Sequence, residues 1–145
     1  MNNLSKPFIF TLRVALGWLF FYAGITKVFN PEWSARGYLM GAKTLPQLYS
    51  FLASPNMLPV TNFLNQWGLT IIGISLLVGF LVKYTAPAGA LMMILYYFPV
   101  LDFPMAGEHS YIVDEHIIYA AAFLVLWVTN AGTAWGVDAY FPKKK

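Results

Sequence analysis

The sequence has no cysteine and few charged residues. Among its 145 residues, cysteine is absent and Asp, Glu, Lys and Arg together make up 10%. The absence of cysteine excludes disulfides, thiol redox chemistry, thiolate metal ligands and a cysteine nucleophile. Ordinary soluble domains carry about 25% charged residues, so the low charge excludes a water-soluble globular protein. The basic residues are scattered apart from Lys143, Lys144 and Lys145, so the net charge of +3 does not indicate binding to nucleic acid.

The sequence is instead rich in apolar and aromatic residues. Apolar residues account for 59% of the sequence and aromatic residues for 18%, and the mean hydropathy is +0.59. Tyr and Trp are enriched where proteins cross the two membrane–water interfaces. The composition therefore predicts an integral membrane protein, and the length predicts one domain over residues 1–145.

Long apolar runs without the period-2 alternation of barrel strands predict four membrane-spanning helices. We expect these helices at about residues 8–29, 59 or 64 to 82, 85–101 and 111–129. The first run is too long for the apolar part of a cleavable signal peptide and no cleavage site follows it, so we expect it to remain. Short links make the later helices antiparallel neighbours, which predicts an all-α, four-helix membrane bundle.

Small residues four positions apart favour close helix packing in lipid. The sequence offers two such pairs, Ser75 with Gly79 and Ala86 with Ala90.

The charges in the links predict the orientation of the bundle. Lys6, Lys83 and the C-terminal lysines belong to one side, and the acidic residues concentrate in the other two links. By the positive-inside rule, both termini face the cytoplasm and the protein is a multi-pass protein of the cell membrane.

The first outer link, residues 30–58, is long for a bundle connection and rich in proline. It nevertheless places apolar residues at helical spacing, namely Leu45, Leu48, Phe51 and Leu52. We expect an interfacial or re-entrant helix here. It could be a lid over the outer end of the bundle or one wall of an access route for an amphipathic substrate.

Ionisable side chains inside the apolar runs need a partner or a function, since a charge at the bilayer centre costs about 2.5–3.5 kcal/mol on insertion scales. Arg13 and Lys27 lie on one side of the first helix but about 21 Å apart, so they cannot share a site. Arg13 could extend to the cytoplasmic headgroups or have a functional role. Lys27 belongs to the outer end of the helix.

To span a bilayer, the last predicted helix must include ionisable residues in its first turn. Its purely apolar part, residues 117–128, is about 18 Å long and too short to span a bilayer. Including Asp114, Glu115 and His116 lengthens the helix, and acidic groups are stabilised by the positive end of its dipole. These residues then lie level with Lys27 at the outer boundary.

Two interpretations of this cluster remain open. Lys27 and one carboxylate could form a structural salt bridge between helices. Alternatively, the group could handle protons or anchor a ligand, with Asp102, His109 and Tyr119 within reach. His109 and His116 show no established metal-ligand spacing, so we predict no metal site.

Several motifs, in this order, carry a resemblance to a known family. They are Arg13-x3-Gly17, Gly24-Ile25-Thr26-Lys27, the stretch from Gly68 to Gly79 before Lys83, Asp114-Glu115-His116-Ile117-Ile118-Tyr119-Ala120 and Asn130-Ala131-Gly132. With these motifs the sequence resembles the DoxX/DoxD family of small four-helix membrane proteins. The long link with Trp33-Ser34-Ala35-Arg36-Gly37-Tyr38-Leu39 resembles the DoxD side, the membrane subunit of thiosulfate:quinone oxidoreductase.

The resemblance implies an oxidoreductase subunit that passes electrons from thiosulfate, or a similar small reductant, to a membrane quinone. It implies a second subunit or homo-oligomer as partner besides lipid, and quinone as the substrate or bound cofactor. The candidate catalytic residues are then Glu115, His116, Lys27 and Asp114, and the candidate substrate or quinone ligands are Arg13, Arg36, Trp67 and Tyr119. Lys43 could also meet an oxyanion, and Tyr96 or Tyr97 could stack on a quinone.

Two other functions remain open from the sequence. The first is a non-enzymatic role as a membrane assembly factor, chaperone or redox-partner scaffold, in which the ionisable cluster only stabilises the bundle. The second is a small-solute transporter, which would need polar residues through the middle of the second or third helix.

Overall fold

The chain is mostly helical in the computed structural model, which describes residues 4–141. Six α-helices are present there, α1 (Lys6–Val28), α2 (Arg36–Met40), α3 (Pro46–Leu52), α4 (Leu58–Val78), α5 (Val82–Val100) and α6 (Glu115–Val128). Two short strands, β1 (Leu101–Asp102) and β2 (Met105–Ala106), form an antiparallel hairpin between α5 and α6. Two turns of 3-10 helix, Ala131–Thr133 and Val137–Tyr140, follow α6. The predicted cytoplasmic lysines 143–145 lie outside the described residues.

The four long helices correspond to the four predicted segments, with ends shifted by up to about four residues. Among the described helices, α1 is the one long and apolar enough to cross a membrane, and the apolar α6 has 14 residues. The first half of α4 carries Asn62, Asn65 and Gln66, which lower its hydropathy. Large apolar side chains on the outer faces of the helices are exposed, as expected for contact with lipid, for example Trp18, Ile71, Leu91 and Ile118.

Glycines bring α1 and α4 together as antiparallel neighbours. A Cβ at Gly73 of α4 would lie 2.2 Å from the backbone nitrogen of Phe21, and one at Gly24 of α1 would lie 2.4 Å from that of Thr70. The predicted pair in α4 acts differently, because Ser75 donates to the Phe80 carbonyl in the turn into α5. The glycines, rather than that pair, allow close approach of the two helices.

The α5–α6 contact also depends on small residues. Ala86 and Ala90 of the second predicted pair are both buried. Gly89, between them, faces the Phe123 ring, which would lie 2.4 Å from an added Cβ. Phe123 in turn packs edge-on against Phe20 of α1, with ring centroids 4.8 Å apart. The core therefore continues across the bundle from α5 through α6 to α1.

Arg13 is buried, and its hydrogen bonds link α1 to the segment after α6. Its side chain is 0% exposed and donates to the carbonyls of Ala131 and Gly132 at 3.2 and 3.4 Å. Added Cβ atoms at Gly79 and Gly136 would lie 1.9 and 2.1 Å from Arg13 Nη1. Arg13 therefore does not extend to the headgroups, because backbone carbonyls in the segment after α6 accept hydrogen bonds from its guanidinium inside the protein.

Asp138 completes this end of the bundle by capping α5. Its carboxylate accepts from the backbone nitrogens of Leu81 and Val82 at 2.9 and 3.1 Å. Its own backbone nitrogen donates to the Gly79 carbonyl at 2.9 Å. The first amides of a helix have no partners inside the helix, so a carboxylate supplied from elsewhere stabilises its start.

The first outer link forms two short helices, α2 and α3, instead of one longer interfacial helix. Tyr49 of α3 is buried and donates to the Leu95 carbonyl of α5 at 2.8 Å. In an α-helix the backbone N–H of residue 99 would donate to the Leu95 carbonyl, but Pro99 has no N–H. The Tyr49 hydroxyl supplies the missing donor. The predicted apolar face of α3 points outward, with Leu48 and Phe51 exposed, which suits an interfacial location.

Candidate functional site

A cavity of about 240 Å³ lies between α1, α4, α5 and α6 at the Lys27 end of the bundle. Its apolar lining consists of Leu19, Phe20, Ala23, Leu69 and Met93. Its polar and ionisable lining consists of Lys27, Tyr96, Glu115, His116 and Tyr119. An apolar pocket with a few converging polar groups is the usual form of a small-molecule site.

Asp114 begins α6 and fixes the position of His116. Asp114 is the N-cap, and one of its carboxylate oxygens accepts from the backbone nitrogens of His116 and Ile117 at 3.0 and 3.3 Å. Glu115 is the acidic residue in the first turn, where the sequence predicted acidic groups. Its second oxygen is 2.5 Å from His116 Nδ1. Asp114 itself is only 7% exposed. The cap and the imidazole therefore share one buried carboxylate, whereas the adjacent Glu115 is exposed.

The His116 ring lies against Tyr96 at the cavity wall. Their ring centroids are 5.9 Å apart in an edge-on arrangement. Because Asp114 engages Nδ1, the ring nitrogen left for other partners is Nε2. Nε2 can therefore form a further hydrogen bond at the cavity wall.

Lys27 lies across the cavity from α6 without forming the predicted salt bridge. Its Nζ donates to the Ala23 carbonyl at 2.8 Å and lies 5.5 Å from the centre of the Trp33 ring. Among residues 4–141 Lys27 has no carboxylate within salt-bridge distance. The interhelical salt bridge is therefore absent, because Asp114 is committed to α6 and His116. The ammonium group remains available at the cavity wall.

Tyr96 and Asn65 are partly buried residues whose side-chain oxygens are themselves fully buried. Neither the Tyr96 hydroxyl nor the Asn65 carboxamide oxygen forms a hydrogen bond within residues 4–141. The two side chains are neighbours, and the Tyr96 hydroxyl interacts with the Asn65 side chain although the pair falls outside strict hydrogen-bond geometry. A buried polar group without a partner costs about 1–3 kcal/mol, so each one in a folded protein calls for an explanation. The Asn65 carboxamide oxygen beside the Tyr96 hydroxyl is therefore its natural acceptor.

The first outer link reaches the same site through Tyr38 of α2. The Tyr38 hydroxyl donates to the backbone carbonyl of Tyr96 at 2.5 Å, and the two rings lie 6.2 Å apart. Burial raises the pKa of the Tyr38 phenol, and the nearby charge of Asp114 raises it further. The phenol therefore stays protonated over the physiological range and can keep donating. The link and the cavity wall are thus directly connected.

The DoxX family model matches residues 8–101, about two thirds of the chain. The chain belongs to the DoxX family. Nothing among the curated proteins or the solved structures matches it. DoxX proteins are membrane-associated, which agrees with the apolar α1. The match covers α1 to α5, and therefore Lys27 and Tyr96, but ends before Asp114, Glu115 and His116.

Only part of the residue set predicted for this DoxX chain meets at the cavity. Lys27, Glu115, His116 and Tyr119 line it, and Asp114 lies behind His116. Arg13 lies at the opposite end of α1. Arg36 and Trp67 are exposed outside the lining, and Trp67 packs near Phe63.

Two other residues considered within reach also lie away from the cavity. Asp102 pairs with Lys43 at 2.7 Å on the surface, and His109 is 92% exposed. Within residues 4–141, no group of three or more His, Cys, Asp or Glu side chains is arranged to hold a metal ion.

Sequence reasoning missed Asn65 and considered Tyr96 only as a stacking surface. The signal for Asn65 was a polar residue in an otherwise apolar helix, which usually indicates a function or a buried partner.

Proposed function

We propose that this DoxX protein is a DoxD-like membrane oxidoreductase subunit that binds quinone in the Lys27–His116 cavity and passes it electrons from thiosulfate or a similar small reductant. The observation that carries the proposal is the cavity itself, an apolar space at the Lys27 end of the bundle where Lys27, Tyr96 and His116 converge. A quinone combines an apolar ring with carbonyl oxygens that can accept hydrogen bonds from such groups.

The size and composition of the cavity suit a monocyclic quinone headgroup. Its volume of about 240 Å³ is below the roughly 300–1,000 Å³ of sites for drug-sized ligands. We infer that the ring enters the cavity while the apolar tail of the quinone remains between the helices and the lipid. Leu19, Phe20 and Met93 supply apolar contacts for the ring, and Lys27 offers positive charge to an oxygen that becomes negative during reduction.

The reductant would approach from the outer side of the membrane. Basic side chains there are Lys27, Arg36 and Lys43, of which Lys43 is paired with Asp102. In a balanced reaction, two thiosulfate ions lose two electrons and join through a sulfur–sulfur bond. The quinone gains these two electrons and two protons, for which Glu115 and His116 are the nearest donors. A second subunit or another copy of the chain would complete the site for the reductant.

For this function we propose that four helices span the membrane, with both termini in the cytoplasm. α1 supplies the clearest span, and the other long helices run beside it in alternating directions. On this arrangement the cavity opens toward the outer leaflet, where both an outside reductant and a lipid-soluble quinone can reach it. Cysteine labelling from each side of right-side-out vesicles, with single cysteines at Lys6 and Glu108, tests the orientation because the native chain has no cysteine.

Tyr96→Phe tests the cavity because it removes one polar group from a lining residue and keeps the ring. We expect the variant to fold normally and to bind quinone about 2- to 10-fold more weakly, as expected for one lost hydrogen bond. The measurement is quinone titration of purified protein, accompanied by solvent extraction of co-purified quinone. Tyr84→Phe is the matched control, since Tyr84 is exposed and belongs to the opposite end of α5.

Activity is measured as thiosulfate-dependent quinone reduction, with the chain alone and with any co-purifying subunit. No activity in either preparation, together with no quinone in lipid extracts, would refute the oxidoreductase proposal. Unchanged quinone affinity in Tyr96→Phe would show instead that quinone binds elsewhere.

A scaffold function is the second candidate, supported by the exposed apolar face of the first outer link. Leu45, Leu48 and Phe51 are 49%, 42% and 58% exposed and could contact an assembling client protein or a redox partner. On that alternative, Lys27→Ala and Glu115→Gln would leave co-purified quinone unchanged. Loss of quinone at normal yield favours the enzyme.

A further inference from the structure

The shared carboxylate of Asp114 gives His116 a defined proton position. One Asp114 oxygen caps α6 by accepting from two backbone nitrogens, and the other lies 2.5 Å from His116 Nδ1. An ionised carboxylate only accepts hydrogen bonds, so with Asp114 ionised Nδ1 is the donor of this bond. The remaining nitrogen, Nε2, belongs to a ring that lines the cavity.

We propose, on the basis of the proposed function, that His116 Nε2 delivers a proton to one carbonyl oxygen of the quinone and that Asp114 acts as the positioning residue for this transfer. Asp114 orients the ring and stabilises the imidazolium that holds the second proton at Nε2. When Nε2 gives up this proton, the imidazole is left neutral with its other proton still on Nδ1. Nε2 then takes up a new proton from water at the open side of the cavity.

The surroundings of His116 distinguish it from the other ionisable groups at the cavity. Glu115 is exposed to solvent, and within residues 4–141 no hydrogen bond or ion pair fixes its side chain. Lys27 faces the cavity from α1, Tyr96 from α5 and Tyr119 from α6. Tyr38 of α2 lies close enough to interact with the charges of Asp114 and Glu115. Among these groups, His116 combines cavity exposure with a fixed ring, so it is the group suited to directed proton transfer.

Asp114→Asn tests the proposal without removing the helix cap, because Asn caps helices about as well as Asp. Its carboxamide oxygen can still accept the backbone nitrogens, while its NH₂ group faces Nδ1 as a donor. The proton of His116 should then move from Nδ1 to Nε2. Two-bond ¹⁵N–¹H spectra of histidine-labelled protein report this position directly. The chain has two histidines, so His109→Gln assigns the signals.

We expect Nδ1 to be protonated in the wild-type protein and unprotonated in Asp114→Asn. Nε2–H can still donate to quinone in the variant, so KM for quinone should stay within about 3-fold. We expect kcat to fall by about 10²- to 10⁴-fold, the usual contribution of general acid catalysis. His116→Gln should give a similar loss. The double variant should be no slower than the slower single variant, because Asp114 acts through His116.

Glu108→Gln is the matched control for replacing a carboxylate by an amide, since Glu108 is exposed outside the cavity. It should change neither kcat nor the His116 spectrum. An unprotonated Nδ1 in the wild-type protein, or a kcat within 2-fold of wild type in Asp114→Asn, overturns this proposal while leaving quinone binding intact. Wild-type protein that neither binds nor reduces quinone overturns the proposed function as well.

Discussion

Gly73 is the position where an added methyl group should most directly separate α1 from α4. A Cβ there would lie 2.2 Å from the backbone nitrogen of Phe21 and 2.5 Å from its Cα, whereas ordinary contacts begin at 3.4 Å. These atoms belong to a helix backbone and cannot rotate away. Gly73→Ala therefore requires the two helices to move apart by about 1 Å.

The cost of this movement can be estimated from packing. Overfilling a packed contact costs about 1–3 kcal/mol, and the rigid backbone places Gly73 at the upper end. A gap of about 0.5–1 Å also loses roughly a quarter to a half of the dispersion attraction across it, which extends the damage to the contacts at Gly17 and Gly24. Alanine recovers about 1 kcal/mol of helix propensity. The expected net loss is about 2 kcal/mol of unfolding free energy.

Thermal unfolding in detergent, followed by size-exclusion chromatography, measures the effect. At about 2–4 °C per kcal/mol for a chain of this size, Gly73→Ala should lower Tm by roughly 4–8 °C. Gly37→Ala is the matched control because no atom lies within 4 Å of a Cβ added there. That change should leave Tm unchanged or slightly higher. If Gly73→Ala melts within 1 °C of Gly37→Ala, glycine-mediated packing of α1 on α4 is not limiting.

Three further changes test the ends of α5. Tyr49→Phe leaves the Leu95 carbonyl without its donor, so we expect the unfolding free energy to fall by about 1–3 kcal/mol in denaturant titrations. Burial raises the folded-state pKa of Tyr38 above its ordinary value of 10.0, so its contribution is complete below pH 10 and is lost as pH rises further. Tyr38→Phe should therefore show a smaller drop in Tm between pH 9 and 11 than wild type. Asp138→Ala removes the cap of α5 and should cost about 0.5–2 kcal/mol, whereas Asp138→Asn should cost less; equal Tm values for these two variants would contradict the capping role.

The sequence predicted those features that depend on neighbouring residues. The start of α6 is the clearest example, because a short apolar run must lengthen and an acidic residue suits a helix N-terminus. Asp114 is indeed the N-cap. The positions of the long helices were likewise predictable from runs of apolar residues. Among the described helices, α1 is the one that is both long and apolar enough to cross a membrane.

Features that depend on distant contacts could not be predicted. The carbonyls that accept from Arg13 are more than a hundred residues away in sequence. In the described part of the chain Lys27 pairs with no carboxylate, because Lys27 bonds within its own helix and Asp114 bonds within α6. The burial of the Tyr96 and Asn65 side-chain oxygens depends on how α4 packs against α5. Contacts between residues far apart in the sequence leave no local sequence pattern from which they could be predicted.

The two cations of α1 show why space, rather than charge alone, identifies the candidate site. Arg13 is buried where Gly79 and Gly136 bring backbone against its guanidinium, so there is no room for a further molecule, although its Nε lacks a partner within residues 4–141. Lys27 lies beside a cavity of about 240 Å³ that also exposes a tyrosine and a histidine. Burying a cation is costly at either end. At the Arg13 end the protein offsets that cost with its own carbonyls, whereas at the Lys27 end an accessible space remains for a ligand.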